Sequence, residues 1–230
     1  MRTGILAAFG VVLASTSAFS ADLAQPSYDW SGGYIGLNGG YAFGDADFVE
    51  VSGSYNGTGT TSSNSADGFT GGIQAGWNQQ FNSIVLGLEL EGGWLGANGS
   101  DVGFGSSDTF SSVDAGLYGT AALRAGFAVD RALFFVKGGG ALADINAEVN
   151  DSDPGGNMIH ASDSGAELGW TLGGGVEFAI SDTVTAKLEY AHYRFNDISV
   201  SGDGIIVPGT VKWSSDVDID TVKVGLNWRF

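Results

Sequence analysis

The feature that most constrains this chain is a two-residue rhythm of apolar side chains that recurs eight times. From Tyr34 to Gly44, Ile35, Leu37, Tyr41 and Phe43 share one face, and Tyr34, Gly36, Asn38, Gly40 and Ala42 share the other. The rhythm returns with Phe69, Ile73, Ala75 and Trp77, and again with Leu86, Leu88, Leu90 and Trp94. It continues through Leu117, Ala121, Leu123 and Phe127, and through Phe134, Val136 and Leu142. Leu168, Trp170, Leu172, Val176 and Phe178 carry the sixth, and Val184, Ala186, Leu188 and Tyr190 the seventh. The last is Val222, Val224, Leu226, Trp228 and Phe230. Successive side chains of a strand point to opposite faces, so this period specifies strands and excludes amphipathic helices.

The connections between these segments alternate in length. Long ones rich in Gly, Ser, Asp and Asn are expected near 45–67, 97–111, 144–164 and 196–218. Short ones fall at Gln80–Ser83, Ala128–Arg131 and Ile180–Thr183, with Asn82, Asp130 and Asp182 as turn residues. An even number of strands with long loops on one rim and tight turns on the other predicts an all-β chain, an eight-stranded antiparallel transmembrane β-barrel over 33–230.

Alternation alone does not say which face meets lipid, and three observations decide it. The less apolar face is dominated by Gly, Ala and Thr, which suits the narrow interior of an eight-stranded barrel. That face also carries balanced charge: Glu89, Glu91, Glu177 and Glu189 against Arg124, Lys137, Lys187 and Lys223. The whole chain has 26 acidic and 9 basic side chains, so local balance points to a desolvated, mutually paired interior. Finally, aromatics cluster at both ends of the apolar face. Trp77, Phe127, Phe134, Phe178, Trp228 and Phe230 lie toward the short turns, and Tyr41, Phe43, Trp94 and Trp170 toward the long loops. Two such belts are expected where amphipathic rings meet the two headgroup layers. The interior test of this assignment is that Arg124→Ala should destabilise the barrel more than Lys212→Ala in a loop.

The start of the chain reads as an export signal over residues 1–20. Arg2 precedes an apolar run from Gly4 to Ala14, and Ala18-Phe19-Ser20 offers a small-x-small cleavage site. The run is shorter than the ~20 residues a spanning helix needs. Removal after Ser20 is expected, leaving 21–32 as a periplasmic segment and directing the product to the bacterial outer membrane. The 230-residue chain has 39 Gly and no Cys, which excludes a disulfide scaffold, a thiolate metal site and a cysteine nucleophile. No basic patch offers a footprint for nucleic acid.

The chain closes on Lys223-Val224-Gly225-Leu226-Asn227-Trp228-Arg229-Phe230. Its Lys223, Gly225, Trp228 and terminal Phe230 are similar to the signal read by the barrel assembly machinery, where an unpaired last strand adds to an open edge. Trp30-Ser31-Gly32-Gly33-Tyr34-Ile35-Gly36, Gly169-Trp170-Thr171-Leu172-Gly173-Gly174-Gly175-Val176-Glu177 and Ala186-Lys187-Leu188-Glu189-Tyr190 complete the pattern. Together these segments resemble the RopB-type family of small alphaproteobacterial outer-membrane proteins, within the wider opacity-type and porin-family barrels. The resemblance implies an abundant surface protein that contacts lipopolysaccharide and host or environment. Some relatives are described as porins or haemin binders.

Chemistry is sparse. Catalysis needs a nucleophile or an acid–base pair within reach, and the two histidines are His160 in the third long loop and His192 on the lipid-facing parity. His160, Ser162 and Asp163 are a candidate triplet for a lipid-modifying barrel enzyme, and Met158 with His160 a candidate haem ligand pair; Ser/Asp-rich loops produce both by chance. Asp216, Asp218 and Asp220 project three carboxylates from one side of the last strand, a weak site for divalent cations bridging lipopolysaccharide phosphates. They lack the turn Gly and distant Glu of a calcium loop. The expectation is a non-enzymatic structural and surface-interaction barrel, without cofactor and without a periplasmic peptidoglycan-binding domain. A narrow porin is the alternative.

Overall fold

In the computed structural model, residues 28–52, 61–102, 109–152, 158–203 and 210–230 are described. The export signal and its cleavage site lie outside the described residues, as do 53–60, 103–108, 153–157 and 204–209. The described chain forms eight strands, β1 (Gly32–Ser52), β2 (Thr61–Phe81), β3 (Ile84–Val102), β4 (Thr109–Val129), β5 (Ala132–Ser152), β6 (Met158–Ala179), β7 (Val184–Asp203) and β8 (Thr210–Arg229). Each pairs antiparallel with its chain neighbour, and β1 pairs with β8 to close the barrel. Closure leaves no unpaired edge, which a spanning sheet cannot tolerate in lipid. At the seam, Phe230 N–H donates to the Gly33 carbonyl (3.0 Å) and Gly33 N–H to the Phe230 carbonyl (3.2 Å).

The tight turns are built by the residues the sequence marks. Asn82 (φ 55°) and Asp130 (φ 47°) open two-residue hairpins. Their short polar side chains tolerate the left-handed region better than other non-glycine residues do. In the Ile180–Thr183 turn, Ser181 Oγ accepts from the backbone N–H of Val184 (3.0 Å).

The strands are longer than the apolar rhythm indicates. Much of what reads as loop is paired backbone: Asp45–Val49 runs opposite Ser65–Thr61, and Asp144–Ser152 opposite Ala166–Met158. The physical cause has two parts. Past the bilayer the outward face no longer has to be apolar, so hydrogen bonding continues without the alternating signature. The register also slips at bulges between Trp94 and Ala97, Ala115 and Tyr118, and Phe195 and Ile198. Each slip breaks a strict period-2 reading at the place where the expected loops begin.

Outward side chains form the lipid-facing band. Leu37, Leu88, Leu123, Val136, Leu172 and Val224 are about three-fifths or more exposed on the isolated barrel. On β8 this band runs from Val222 to Phe230, close to the ~9–11 tilted residues that cross a bilayer. All ten belt aromatics, Tyr41, Phe43, Trp77, Trp94, Phe127, Phe134, Trp170, Phe178, Trp228 and Phe230, point outward. Phe69 and Tyr190 add to the belt on the long-strand side, where Tyr41 packs edge-on against Phe69 at 5.5 Å.

Candidate functional site

The interior is the most organised chemistry in the molecule, and it is layered. Toward the extended rim lies an apolar layer, in which Leu95, Ile145, Phe195, Val217 and Ile219 pack among small alanines. Below it sit the charges. Beneath these, Trp30 and Tyr28 from the segment before β1 turn back into the mouth and pack with Val85, Leu133 and Phe135.

The eight residues of the balanced charge set, Glu89, Glu91, Arg124, Lys137, Glu177, Lys187, Glu189 and Lys223, are buried in the middle layer, at most 4 % exposed. Glu89 and Glu91 come from β3, Arg124 from β4, Lys137 from β5, Glu177 from β6, Lys187 and Glu189 from β7 and Lys223 from β8. Lys137 Nζ lies 2.7 Å from Glu89, 3.0 Å from Glu91 and 2.8 Å from Glu189. Lys187 Nζ reaches Glu189 (2.9 Å) and crosses the lumen to Glu89 (3.3 Å). Lys223 Nζ lies 2.5 Å from Glu91 and 3.5 Å from Glu189. Arg124 pairs with Glu177, and its guanidinium lies 3.9 Å from the Phe135 ring centroid.

Register explains why these pairs cross the barrel. Arg124 and Lys137 are direct neighbours on β4 and β5, a repulsive arrangement unless each finds a carboxylate elsewhere. Each does, and the result is a set of braces tying β3 to β5, β7 and β8. Glu177 faces Lys187 in register but is bound by Arg124, by Thr185 Oγ1 (2.5 Å) and by Asn227 Nδ2 (2.8 Å). An amide chain joins the two ends of this layer: Gln74 donates to Asn227 (2.5 Å), and Asn38 donates to Gln74 (2.9 Å) and Glu91 (3.2 Å).

Three inward tyrosines fill the space between the charges, a role their place among the glycines does not announce. Tyr34 donates to Glu89 (2.7 Å), Tyr118 donates to Glu91 (2.5 Å), and Tyr193 accepts from Lys223 (2.9 Å). Gly76 makes room for Tyr34: a Cβ built there would lie 2.4 Å from the phenol oxygen and 2.6 Å from the Leu88 carbonyl.

The mouth is clasped by the penultimate residue. Arg229 donates to the Asp29 (2.9 Å) and Ser31 (3.0 Å) carbonyls and lies 5.0 and 5.3 Å from the Tyr28 and Trp30 ring centroids. Trp30 N–H donates to Gln80 (2.7 Å) and Tyr28 Oη to the Asp182 carbonyl (3.1 Å). A hydrogen bond from Ser31 N–H holds the Asp29 carboxyl below its ordinary range.

The other candidates fall outside the lumen. Asp216, Asp218 and Asp220 face outward on β8 above the lipid band, interleaved with β7. Asp220 accepts from Tyr190 (2.5 Å) and meets His192 Nδ1 (3.0 Å), and Arg194 lies 3.4 Å from Asp216 and 3.7 Å from Asp218. The three carboxylates are thus matched with side chains of β7. His160, Ser162 and Asp163, expected in a loop, lie on β6 opposite Asn150, Glu148 and Ala147; Met158 opens the strand. Of the residues expected to form an assembly signal, Lys223 and Gly225 face the lumen while Trp228 and Phe230 face outward.

Comparison with known proteins agrees with this architecture. The family model for the outer membrane protein beta-barrel domain matches residues 11–230. The chain is 33% identical over 258 residues to the 31 kDa outer-membrane immunogenic protein of Brucella melitensis, covering 100% of both chains. It is 29% identical over 206 residues to the 22 kDa outer membrane protein of Rhizobium leguminosarum, covering 90% of this chain and 81% of that one. Among solved structures, the outer membrane protein OprG of Pseudomonas aeruginosa superimposes with a TM-score of 0.52 at 14% identity, covering 89% of this chain and 100% of that one, a likeness of fold alone. The alphaproteobacterial relatives match the small outer-membrane family that the strand motifs resemble, and they locate the protein in the outer membrane. The chain belongs to the outer membrane protein beta-barrel domain family.

Proposed function

We propose that this protein is a closed, non-conducting barrel whose role is structural and surface-interacting: it reinforces the outer membrane and presents its extended rim to the surroundings. The observation that carries this reading is the lumen. Four carboxylates and four cations brace one another across it, between an apolar layer and a Trp30–Tyr28 cork. An apolar constriction resists wetting, and a neutral, mutually bonded charge layer offers a passing ion no unpaired partner. The Brucella relative is named for immunogenicity, which supports exposure of the rim.

The lipid partners follow from the exterior: the apolar band for acyl chains, the aromatic belts for headgroups, and the His192–Arg194–Asp216–Asp220 row for the polar part of lipopolysaccharide. In the same reading Trp228 and Phe230 serve both the belt and recognition by the assembly machinery. The test is single-channel recording of the refolded barrel in a planar bilayer. A flat trace from protein that shows heat-modifiable migration is expected. Steady openings well above background would replace this reading with a narrow porin.

A further inference from the structure

Lys137 occupies a position unlike that of the other lumen cations. Its ammonium touches three carboxylates at once, Glu89 Oε1 at 2.7 Å, Glu91 Oε2 at 3.0 Å and Glu189 Oε1 at 2.8 Å. One oxygen from each of these side chains lies within 4.8 Å of the others, the convergence of a cation site. The three glutamates are at most 4 % exposed, and the lysine reaches them from β5 while they stand on β3 and β7. The cage is therefore assembled by elements other than the one that supplies its occupant.

We propose that Glu89, Glu91 and Glu189 form a receptor for one primary ammonium ion, and that Lys137 is its tethered occupant. Charge sets the class of ligand. Arg124 neutralises Glu177, so the three cage carboxylates are matched by Lys137, Lys187 and Lys223. Without the Lys137 ammonium, Lys187 and Lys223 remain and the cage carries one uncompensated negative charge. A buried, unpaired charge is costly, so the vacated position takes a single positive charge. A monovalent ion restores neutrality, and an ammonium also supplies N–H donors to the oxygens that lost them. Tethering the ion has a consequence for the wild type: the middle of the barrel stays closed whatever cations the medium holds.

The experiment is chemical rescue. Lys137→Ala removes the propylammonium portion of the side chain and leaves its volume vacant. The variant is refolded in detergent with and without millimolar propylammonium chloride, and its melting temperature is read by tryptophan fluorescence. The expected result is a fall of several degrees, with at least half of it returned by propylammonium along a saturable curve, as ligand binding to the folded state alone requires. Tetramethylammonium, which carries the charge but no N–H, should leave the variant unchanged, and propylammonium should leave the wild type unchanged. If Lys137→Ala does not fold alone, the yield of heat-modifiable barrel with propylammonium in the refolding mixture is the readout. Equal rescue by tetramethylammonium, an equal shift in the wild type, undiminished stability without additive, or no folded barrel even with propylammonium would each overturn the proposal. It builds on the closed-lumen reading, yet the two fail separately, because openings of the wild-type barrel would sink that reading without touching the rescue curve.

Discussion

Replacing Arg124 by Ala tests whether the lumen braces carry stability. Arg124 is 2 % exposed, pairs with Glu177, lies 3.9 Å from Glu89 and stacks on Phe135. Truncation leaves Glu177 ionised in the interior with only the Thr185 and Asn227 donors, and it opens a void against the Phe135 ring. Breaking a buried pair from one side costs roughly 3–5 kcal/mol. The comparator is Arg194→Ala, whose partners Asp216 and Asp218 are themselves solvated, where roughly 0–1 kcal/mol is expected. Urea titration of the barrel in lipid vesicles, followed by tryptophan fluorescence, gives both values. The midpoint of Arg124→Ala should fall with little change in slope, since the surface exposed on unfolding is almost the same. Pairing Arg124→Met with Glu177→Gln should recover about 2 kcal/mol of the loss, because removing both charges leaves neither uncompensated. If Arg124→Ala costs no more than Arg194→Ala, the braces are geometric coincidence and the interior is held by packing alone.

Two further perturbations separate the faces. Gly76→Val should cost about 1–3 kcal/mol by overpacking, because its first added carbon meets Tyr34 Oη at 2.4 Å and the Leu88 carbonyl at 2.6 Å; the same urea titration checks it, and a neutral outcome would show that Tyr34 is free to leave Glu89. Leu226→Arg, on the outward face near mid-band, should cost roughly 2–4 kcal/mol in vesicles; an unchanged midpoint would mean that this face does not meet lipid.

The barrel was legible because a two-residue period survives in every membrane-crossing segment, and charge balance with aromatic placement chose the inward face. What stayed hidden has particular physical causes. The bulges next to Gly96, at φ 61°, and between Ala115 and Tyr118 shift the phase, so β3 and β4 look as though they stop there. The charged residues could be placed on one face, but not their pairing. Lys187 neighbours Glu177 in register and yet bonds to Glu189 and Glu89, a choice made by side-chain reach across the lumen. Tyr34 was visible on the inward parity, but only three dimensions show it, Tyr118 and Tyr193 bonded to the charges. Trp30, in a segment read simply as periplasmic, is fully buried in the mouth, and the cue was an aromatic pair immediately before the first strand.

The length of the strands has a mechanical meaning. From Phe43 at the outer belt, β1 continues to Ser52, and β6 starts at Met158, well before Trp170. At about 3.3 Å per residue and a tilt of about 40°, these extensions rise roughly 23 Å (β1) and roughly 30 Å (β6) above the belt. Among the described residues that portion is two four-stranded ribbons, β7–β8–β1–β2 and β3–β4–β5–β6, because β2–β3 pairing ends at Asp67–Asn98 and β6–β7 pairing at Gly169–Phe195. Each ribbon is held by its own backbone ladders rather than by the segments that join its strands. Substitutions, insertions or grafted peptides at 53–60 or 204–209 should therefore leave the melting temperature nearly untouched.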